Sequence, residues 1–145
     1  MINNIFVKSR KEMEERLKTL RNPSVLISIR DVGGKPLSNH TETGIFVPVL
    51  YLEFEDWDKE NDFSIVMTDA DAIQIASFVK LYHSKNEDID LYVNCEAGQS
   101  RSAGVAAAIS KALFDDDEVF FRTKHPNMLC YRKVYNALME ELGEK

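Results

Sequence analysis

Apolar residues near the start of the chain change from a strand-like run to a helical spacing. The short apolar stretch over residues 2–7 predicts a first strand. Within residues 11–20, the apolar side chains are spaced four and three positions apart, at Met13, Leu17 and Leu20. This spacing places them on one side of an amphipathic helix. A strand followed by a helix is therefore expected at the amino end.

Two further strand candidates follow this helix. The β-branched run over residues 25–29 predicts a short buried strand, and the loop after it contains glycine and proline. Residues 45–54 predict another strand, with Pro48 in its early part, where a missing N–H is tolerated. Residues 55–62, Glu-Asp-Trp-Asp-Lys-Glu-Asn-Asp, then predict an acidic loop.

The second half of the chain continues the alternation of helices and strands. Thr68, with Asp71 three residues later, is typical of a helix N-cap. The strand predicted over residues 91–93 is followed by a helix that begins at Arg101 and ends near residues 115–117. The expected inward-facing side chains are Ala72, Ile75, Ala76 and Val79 in the first of these helices, Val105, Ile109, Ala112 and Leu113 in the second, and Tyr131, Val134, Tyr135, Leu138 and Leu142 in a final helix.

Strands that alternate with helices predict an α/β fold. We expect a mostly parallel central sheet of about four to five strands, with helices on both faces. The chain has 145 residues and contains no repeat or linker-like segment, which favours a single domain over residues 1–145.

Composition and charge exclude several classes of protein. Apolar residues make up 44% of the chain and charged residues 29%, a balance that excludes disorder. The net charge of -6 disfavours a general nucleic-acid binder. No export signal or membrane-spanning run is recognisable, and two cysteines do not form a disulfide scaffold. We therefore expect a cytoplasmic monomer that binds neither nucleic acid nor membrane.

Residues 95–104, Cys-Glu-Ala-Gly-Gln-Ser-Arg-Ser-Ala-Gly, lie between a predicted strand and a predicted helix. Unpaired backbone N–H groups and the positive end of the helix dipole meet at such a junction and favour binding of phosphate. Gly98 permits unusual backbone dihedrals, and Arg101 can form two hydrogen bonds to phosphate oxygens. The expected substrate-binding residues are Glu96, Ala97, Gly98, Gln99, Ser100 and Arg101.

The same electrostatic environment makes Cys95 a candidate nucleophile. A helix N-terminus and a neighbouring cation both favour a thiolate over a thiol. The Cys95 thiolate would attack phosphorus in line and form a phosphocysteine intermediate. Ser102 is placed to hydrogen-bond this sulfur and help it leave in the second step. The catalytic residues expected from the loop are thus Cys95, Arg101 and Ser102.

The pattern Cys-x-Ala-Gly-x-Ser-Arg-Ser after a hydrophobic strand resembles the signature of the cysteine-dependent protein tyrosine phosphatases, most closely the small dual-specificity type. The order of elements from about Val25 to the final helix is similar as well. The resemblance implies hydrolysis of phosphate monoesters, above all phosphotyrosine and also phosphoserine or phosphothreonine, in a phosphorylated protein or peptide. This chemistry requires no metal and no cofactor.

The resemblance also implies a general acid, since members of this family supply an aspartate from a loop after the preceding core strand. Asp56 is the first candidate because it stands directly after the predicted strand, followed by Asp58 and Asp62. A solvated acidic surface is the alternative interpretation of this loop. Trp57 either contacts an aromatic substrate or packs the loop onto the body of the protein.

Three features leave alternatives open. Asn94 stands where the family usually has histidine and carries no charge, so a phosphate-binding pseudophosphatase without turnover is one alternative function. A rhodanese-like sulfurtransferase is another, since such domains also close a cysteine loop with arginine. Arg30 and Asp31 end a core strand beside the expected site, where they either shape the pocket or pair with each other.

Overall fold

The computed structural model describes residues 1–143, which form four strands and five helices in a largely alternating order. No helix in this part of the chain is long and apolar enough to cross a membrane. The elements are β1 (Ile2–Ser9), α1 (Arg10–Thr19), β2 (Ser24–Arg30), β3 (Val49–Glu53), α2 (Asp69–His83), β4 (Ile89–Cys95), α3 (Arg101–Phe114), α4 (Glu118–Thr123) and α5 (Met128–Glu141).

The four strands form one sheet in the order β1-β4-β2-β3, and all three strand pairs are parallel. The predicted mostly parallel sheet is therefore confirmed. Strand β4 is central, with Val93 paired to Val7 on one side and to Ile27 on the other. The carboxyl ends of parallel strands lie at one edge of a sheet, the usual place for ligand sites in such folds. Cys95 ends β4 at this edge.

Alternate residues of the strands face two separate clusters of apolar side chains, so helices cover both faces as predicted. Val25, Ile27, Ile29, Leu91 and Val93 face the larger cluster, which also contains residues of α2, α3 and α5. On the opposite face, α1 packs against the sheet, and the smaller cluster lies between them. This cluster contains Met13, Leu17 and Leu20 from α1 and its end, Leu26 and Tyr92 from the sheet, and Leu37 and Val47 from the loop after β2.

The predicted strand over residues 45–54 is too long. Strand β3 covers only Val49–Glu53. Before it, side chains rather than a neighbouring strand bind the backbone carbonyls, because Thr41 donates to Ile45 and Asn39 donates to Val47. Pro48 has no N–H to continue the ladder, which explains why strand pairing starts after it.

Helices α2 and α3 begin close to the predicted positions and α5 contains the predicted final helix, whereas α4 was not predicted. Thr68 and Asp71 form a complete capping box at the start of α2. Helix α3 is more deeply buried than an amphipathic stripe implies, since every residue from Arg101 to Ser110 is buried. Helix α4 has six residues and follows an acidic run, so its sequence shows no sustained helical spacing.

Gly104 allows α5 to approach α3 closely. A Cβ at this position would lie 2.4 Å from the carbonyl oxygen of Asn127, far inside van der Waals contact. Asn127 is the N-cap of α5. The absence of a side chain at Gly104 therefore brings the start of α5 against the first turn of α3.

Candidate active site

The loop between β4 and α3, residues 96–100, is named the anion loop below and is tied to its surroundings through its carbonyl groups. The backbone N–H of Arg10 donates to Glu96, that of His125 to Gln99, and that of Asn127 to Ser100, over 2.9–3.1 Å. Within residues 1–143, no backbone N–H of this loop donates to a protein acceptor. The carbonyls thus bind the neighbouring segments, and the N–H groups remain available for an anion.

Cys95 lies at the base of this loop and is almost completely buried. Its Sγ is 3.0 Å from Oγ of Ser102, a residue in the first turn of α3. The structure thus brings together the two side chains that the sequence places seven positions apart. The Ser102 hydroxyl can donate to a thiolate and stabilise its negative charge.

Arg101 is held by two contacts from other parts of the sheet edge. Its Nη1 donates to the carbonyl oxygen of Phe54 over 2.8 Å, and its Nη2 pairs with Asp31 Oδ1 over 2.8 Å. Its Nε is buried and has no partner among the described residues. These contacts fix the plane of the guanidinium while leaving N–H donors for an oxyanion.

Arg30 and Asp31 do not pair with each other in the structure. Arg30 pairs with Glu53 at 3.5 Å, whereas Asp31 pairs with Arg101. Asp31 therefore belongs to the surroundings of the candidate site.

Asp56 is the aspartate of the acidic segment after β3 that reaches the anion loop. Its Oδ1 accepts hydrogen bonds from Ser100 Oγ at 2.7 Å and from Asn127 Nδ2 at 2.9 Å. Asp58 is exposed and lines the same groove, and Asp62 is exposed farther along the loop. Among the three aspartates considered, the geometry therefore brings Asp56 into contact with the anion loop.

Asn127 has a second role that its sequence position did not reveal. Its Oδ1 accepts from the N–H of Cys130 and caps α5, as expected for this residue type. Its Nδ2 donates both to Asp56 and to the carbonyl oxygen of Trp57. The residue type alone indicates that a second contact is possible, because an asparagine that caps a helix through its oxygen still has two amide donors.

A groove of about 650 Å³ extends from Asp56 and Ser100 along the surface. Trp57, Phe121 and Met128 supply apolar surface, and all three are exposed. Lys124 and His125 add basic groups along the same groove. The groove can therefore hold an apolar or aromatic group next to a bound anion.

Asn94 and Cys130 lie behind the site. Asn94 is buried, its Nδ2 lies 3.5 Å from the Cys95 carbonyl oxygen, and its Oδ1 has no partner among the described residues. Burial raises the pKa of the Cys130 thiol well above its usual range, with the Asp56 carboxylate adding to the effect. Cys130 is therefore a neutral packing residue at neutral pH.

Replacing Gly98 with alanine is expected to destabilise the fold. Gly98 has a φ of 67°, and a Cβ there would lie 2.5 Å from the Ser9 nitrogen and 2.7 Å from the Lys8 carbonyl carbon. We expect urea unfolding to show a loss of about 2–5 kcal/mol, because a left-handed backbone costs about 1–2 kcal/mol and overpacking about 1–3 kcal/mol.

Gly33→Ala is the matched control for this prediction. Gly33 also has a positive φ, of 82°, but nothing lies within 4 Å of its Cβ position. This variant should lose only the backbone contribution of about 1–2 kcal/mol. Equal losses in the two variants would contradict the close packing of Gly98 against β1.

Comparisons with known proteins agree with this architecture. The family described as the Rit1 DUSP-like domain matches residues 69–138, a segment that includes the loop after β4. No protein among those of curated function matches the sequence.

Solved structures share the fold over almost the entire chain. PTPMT1, solved in complex with PI(5)P, is 20% identical, with a TM-score of 0.62 and coverage of 97% of this chain and 93% of that one. The human tyrosine phosphatase-like serine/threonine/tyrosine-interacting protein is 16% identical, with a TM-score of 0.60 and coverage of 96% and 93%. OH1 from the Orf virus, described as a tyrosine phosphatase, is 11% identical, with a TM-score of 0.56 and coverage of 97% and 84%.

These similarities show that the four-stranded parallel sheet and its helices form a protein tyrosine phosphatase-like fold. The expected fold class is therefore confirmed.

Proposed function

We propose that this protein hydrolyses phosphate monoesters through a phosphocysteine intermediate at Cys95. One observation carries the proposal: the fold brings an aspartate from the loop after β3 to the anion loop, whose two ends carry a cysteine and an arginine. Cys95 lies at its base, Arg101 at its end with an unbound buried Nε, and Asp56 is hydrogen-bonded to Ser100 within it.

In the first step, the Cys95 thiolate forms a bond to phosphorus while the bond from phosphorus to the leaving oxygen breaks. The N–H groups of residues 96–100 and the Arg101 guanidinium bind the three non-reacting phosphate oxygens. Protonated Asp56 donates its proton to the leaving oxygen. The products are phosphocysteine and a free phenol or alcohol.

In the second step, water attacks phosphorus and the sulfur leaves as a thiolate. Asp56, now ionised, accepts a proton from this water. Ser102 donates a hydrogen bond to the departing sulfur, consistent with the 3.0 Å separation of Sγ and Oγ. Orthophosphate is released, and proton transfer from the water has restored the acid form of Asp56.

Phosphotyrosine in a protein or peptide is the substrate class that the groove supports best. The groove begins at Asp56, where the leaving group must lie, and Trp57, Phe121 and Met128 offer apolar surface to a phenol ring. Phosphoserine and phosphothreonine are further candidates. Phosphoinositides and RNA are less well supported, because the loop carries Glu96 and Gln99 rather than basic residues.

The proposal is tested with purified protein and an aryl phosphate, with vanadate as a phosphate analogue. We expect hydrolysis that vanadate inhibits competitively and that yields one orthophosphate per phenol. Absence of hydrolysis across a panel of aryl phosphates and phosphopeptides would contradict the proposed reaction.

Replacing Asp56 with asparagine is expected to lower kcat for phenyl phosphate by about 10²–10⁴-fold, the usual contribution of a positioned acid. Asparagine keeps the shape of the side chain but has no proton to give. The loss in kcat/KM should be smaller for an aryl phosphate whose phenol is strongly acidic, because such a phenol leaves without a proton.

Asp58→Asn is the matched control, because Asp58 lines the same groove without contacting Ser100 in the hydrogen-bond network described above. It should retain the wild-type rate with phenyl phosphate. A larger loss in Asp58→Asn than in Asp56→Asn would instead identify Asp58 as the acid.

A binding module without turnover is the second candidate function. Asn94, buried and uncharged next to Cys95, favours it because no positive charge at this position supports the thiolate. In that case the wild type would bind a phosphotyrosyl peptide in calorimetry yet release no phosphate. Hydrolysis that depends on Cys95 would exclude this candidate.

A further inference from the structure

The acid loop, residues 55–65, is closed at its base and held near its start. The Glu55 N–H donates to the carbonyl oxygen of Ile65 over 2.6 Å, and Asn127 holds Asp56 and Trp57 from α5. The middle of the loop is different. Residues 58–63 are all exposed, so packing does not fix their position.

Lys133 of α5 reaches this exposed middle part. Its Nζ lies 2.8 Å from Glu60 Oε1 and 2.8 Å from Asp69 Oδ1, in the first turn of α2. The Lys133 side chain is only 15% exposed, although its two partners are mostly exposed. Hydrogen bonds to these carboxylates raise the pKa of the Lys133 ammonium, so it stays charged at neutral pH.

The contact with Glu60 is the polar link between the middle of the loop and the body of the protein. Among residues 1–143, the other hydrogen bond made by residues 58–64 is local, from the Phe63 N–H to Asn61 Oδ1. Asp69 Oδ1 also accepts a hydrogen bond from the Lys133 ammonium, over 2.8 Å. Helix α5 thus contacts the acid loop twice, through Asn127 near Asp56 and through Lys133 at Glu60.

We propose that Lys133 is a positioning residue for the general acid. Its ion pair with Glu60 holds the acid loop against α5, so that Asp56 lies beside the anion loop before substrate arrives. This inference rests on the proposed function in that Asp56 protonates the leaving group. Lys133 itself contacts neither the substrate nor the reacting atoms.

The expected signature is a dependence on the leaving group. A phenol of low pKa leaves without help, whereas one of high pKa needs the proton of Asp56. Loss of the ion pair should therefore lower kcat/KM, which reports the step in which the phenol leaves, by about two- to fivefold for phenyl phosphate and leave it nearly unchanged for an aryl phosphate with a strongly acidic phenol. A general loss of structure would slow both substrates equally.

The first experiment measures kcat/KM for a series of aryl phosphates in Lys133→Met, which keeps an apolar stem but removes the charge. We expect a steeper dependence of the rate on leaving-group pKa, and partial rescue in Lys133→Arg. Lys80→Met is the matched control, because Lys80 forms a surface ion pair with Glu141 at 3.8 Å, away from the acid loop. Lys80→Met should behave as the wild type.

The Asp56→Asn background gives the strictest kinetic test. Without an acid to position, adding Lys133→Met should cause no further loss with phenyl phosphate. Losses that multiply in the double variant, or equal losses with good and poor leaving groups in Lys133→Met, would overturn the inference.

A second measurement separates this inference from the proposed function. Trp57 is the sole tryptophan of the chain and lies in the acid loop, so its fluorescence reports on the loop without any substrate. Acrylamide should quench Trp57 more strongly in Lys133→Met than in the wild type or Lys80→Met. Unchanged quenching would overturn the ion-pair role even in an active enzyme, whereas an inactive wild type would overturn the proposed reaction.

Discussion

Hydrolysis of an aryl phosphate by Cys95→Ser is expected to fall by about 10⁴-fold or more in kcat/KM, a loss typical of removing a nucleophile. Serine has nearly the same shape, so the fold and the bond to Ser102 can persist. Its hydroxyl is a weak nucleophile, because its hydrogen-bond partner among the described residues is the Ser102 hydroxyl, which is not a base. In Cys95→Ser, the initial rate of hydrolysis should therefore be lost, whereas binding of a phosphopeptide should be retained.

Cys130→Ala is the control for this prediction. Cys130 is the other cysteine of the chain, and its buried thiol takes no part in the proposed reaction. This variant should keep the wild-type chemistry, with one free thiol remaining. Turnover by Cys95→Ser at a rate close to that of the wild type would show that the thiol of Cys95 is not the nucleophile.

Arg101→Lys is expected to lower kcat/KM by about 10²–10³-fold, the usual cost of losing a preorganised donor at a developing negative charge. The guanidinium binds Phe54 and Asp31 and still has Nε free for phosphate. A lysine ammonium has the charge but not the planar arrangement of donors, so it cannot make all three contacts at once.

Vanadate inhibition provides the second readout for Arg101. The inhibition constant should rise in Arg101→Lys, because vanadate would use the same donors as the transferring phosphoryl group. Asp31→Asn should have a smaller effect, since Asp31 orients only one arm of the guanidinium. Unchanged vanadate affinity in Arg101→Lys would contradict the assignment of this side chain to the anion site.

Much of the fold could be predicted from the sequence because helices, strands and caps depend on the spacing of nearby residues. The capping box at Thr68 and the apolar faces of α1 and α2 depend on residues a few positions apart, so their spacing shows in the sequence. The motif from Cys95 to Ser102 is equally local, and its strand–loop–helix setting follows from the adjacent apolar runs.

Contacts between distant segments could not be predicted in this way. The bond from Asn127 to Asp56 spans 71 positions, and the link from Lys133 to Asp69 spans 64. Arg101 and Asp31 likewise meet only because β2 and β4 end at the same sheet edge. The residues that orient a site are therefore visible only once the strands and helices are assembled.

Direct trapping of the intermediate tests whether Cys95 becomes phosphorylated during turnover. The protein is mixed rapidly with a labelled aryl phosphate, quenched under denaturing conditions and digested, and the labelled peptide is sequenced by mass spectrometry. We expect the phosphoryl label on the peptide that contains Cys95, and no label in Cys95→Ser. Rapid turnover without label on this peptide, or label on another residue, would contradict a phosphocysteine mechanism.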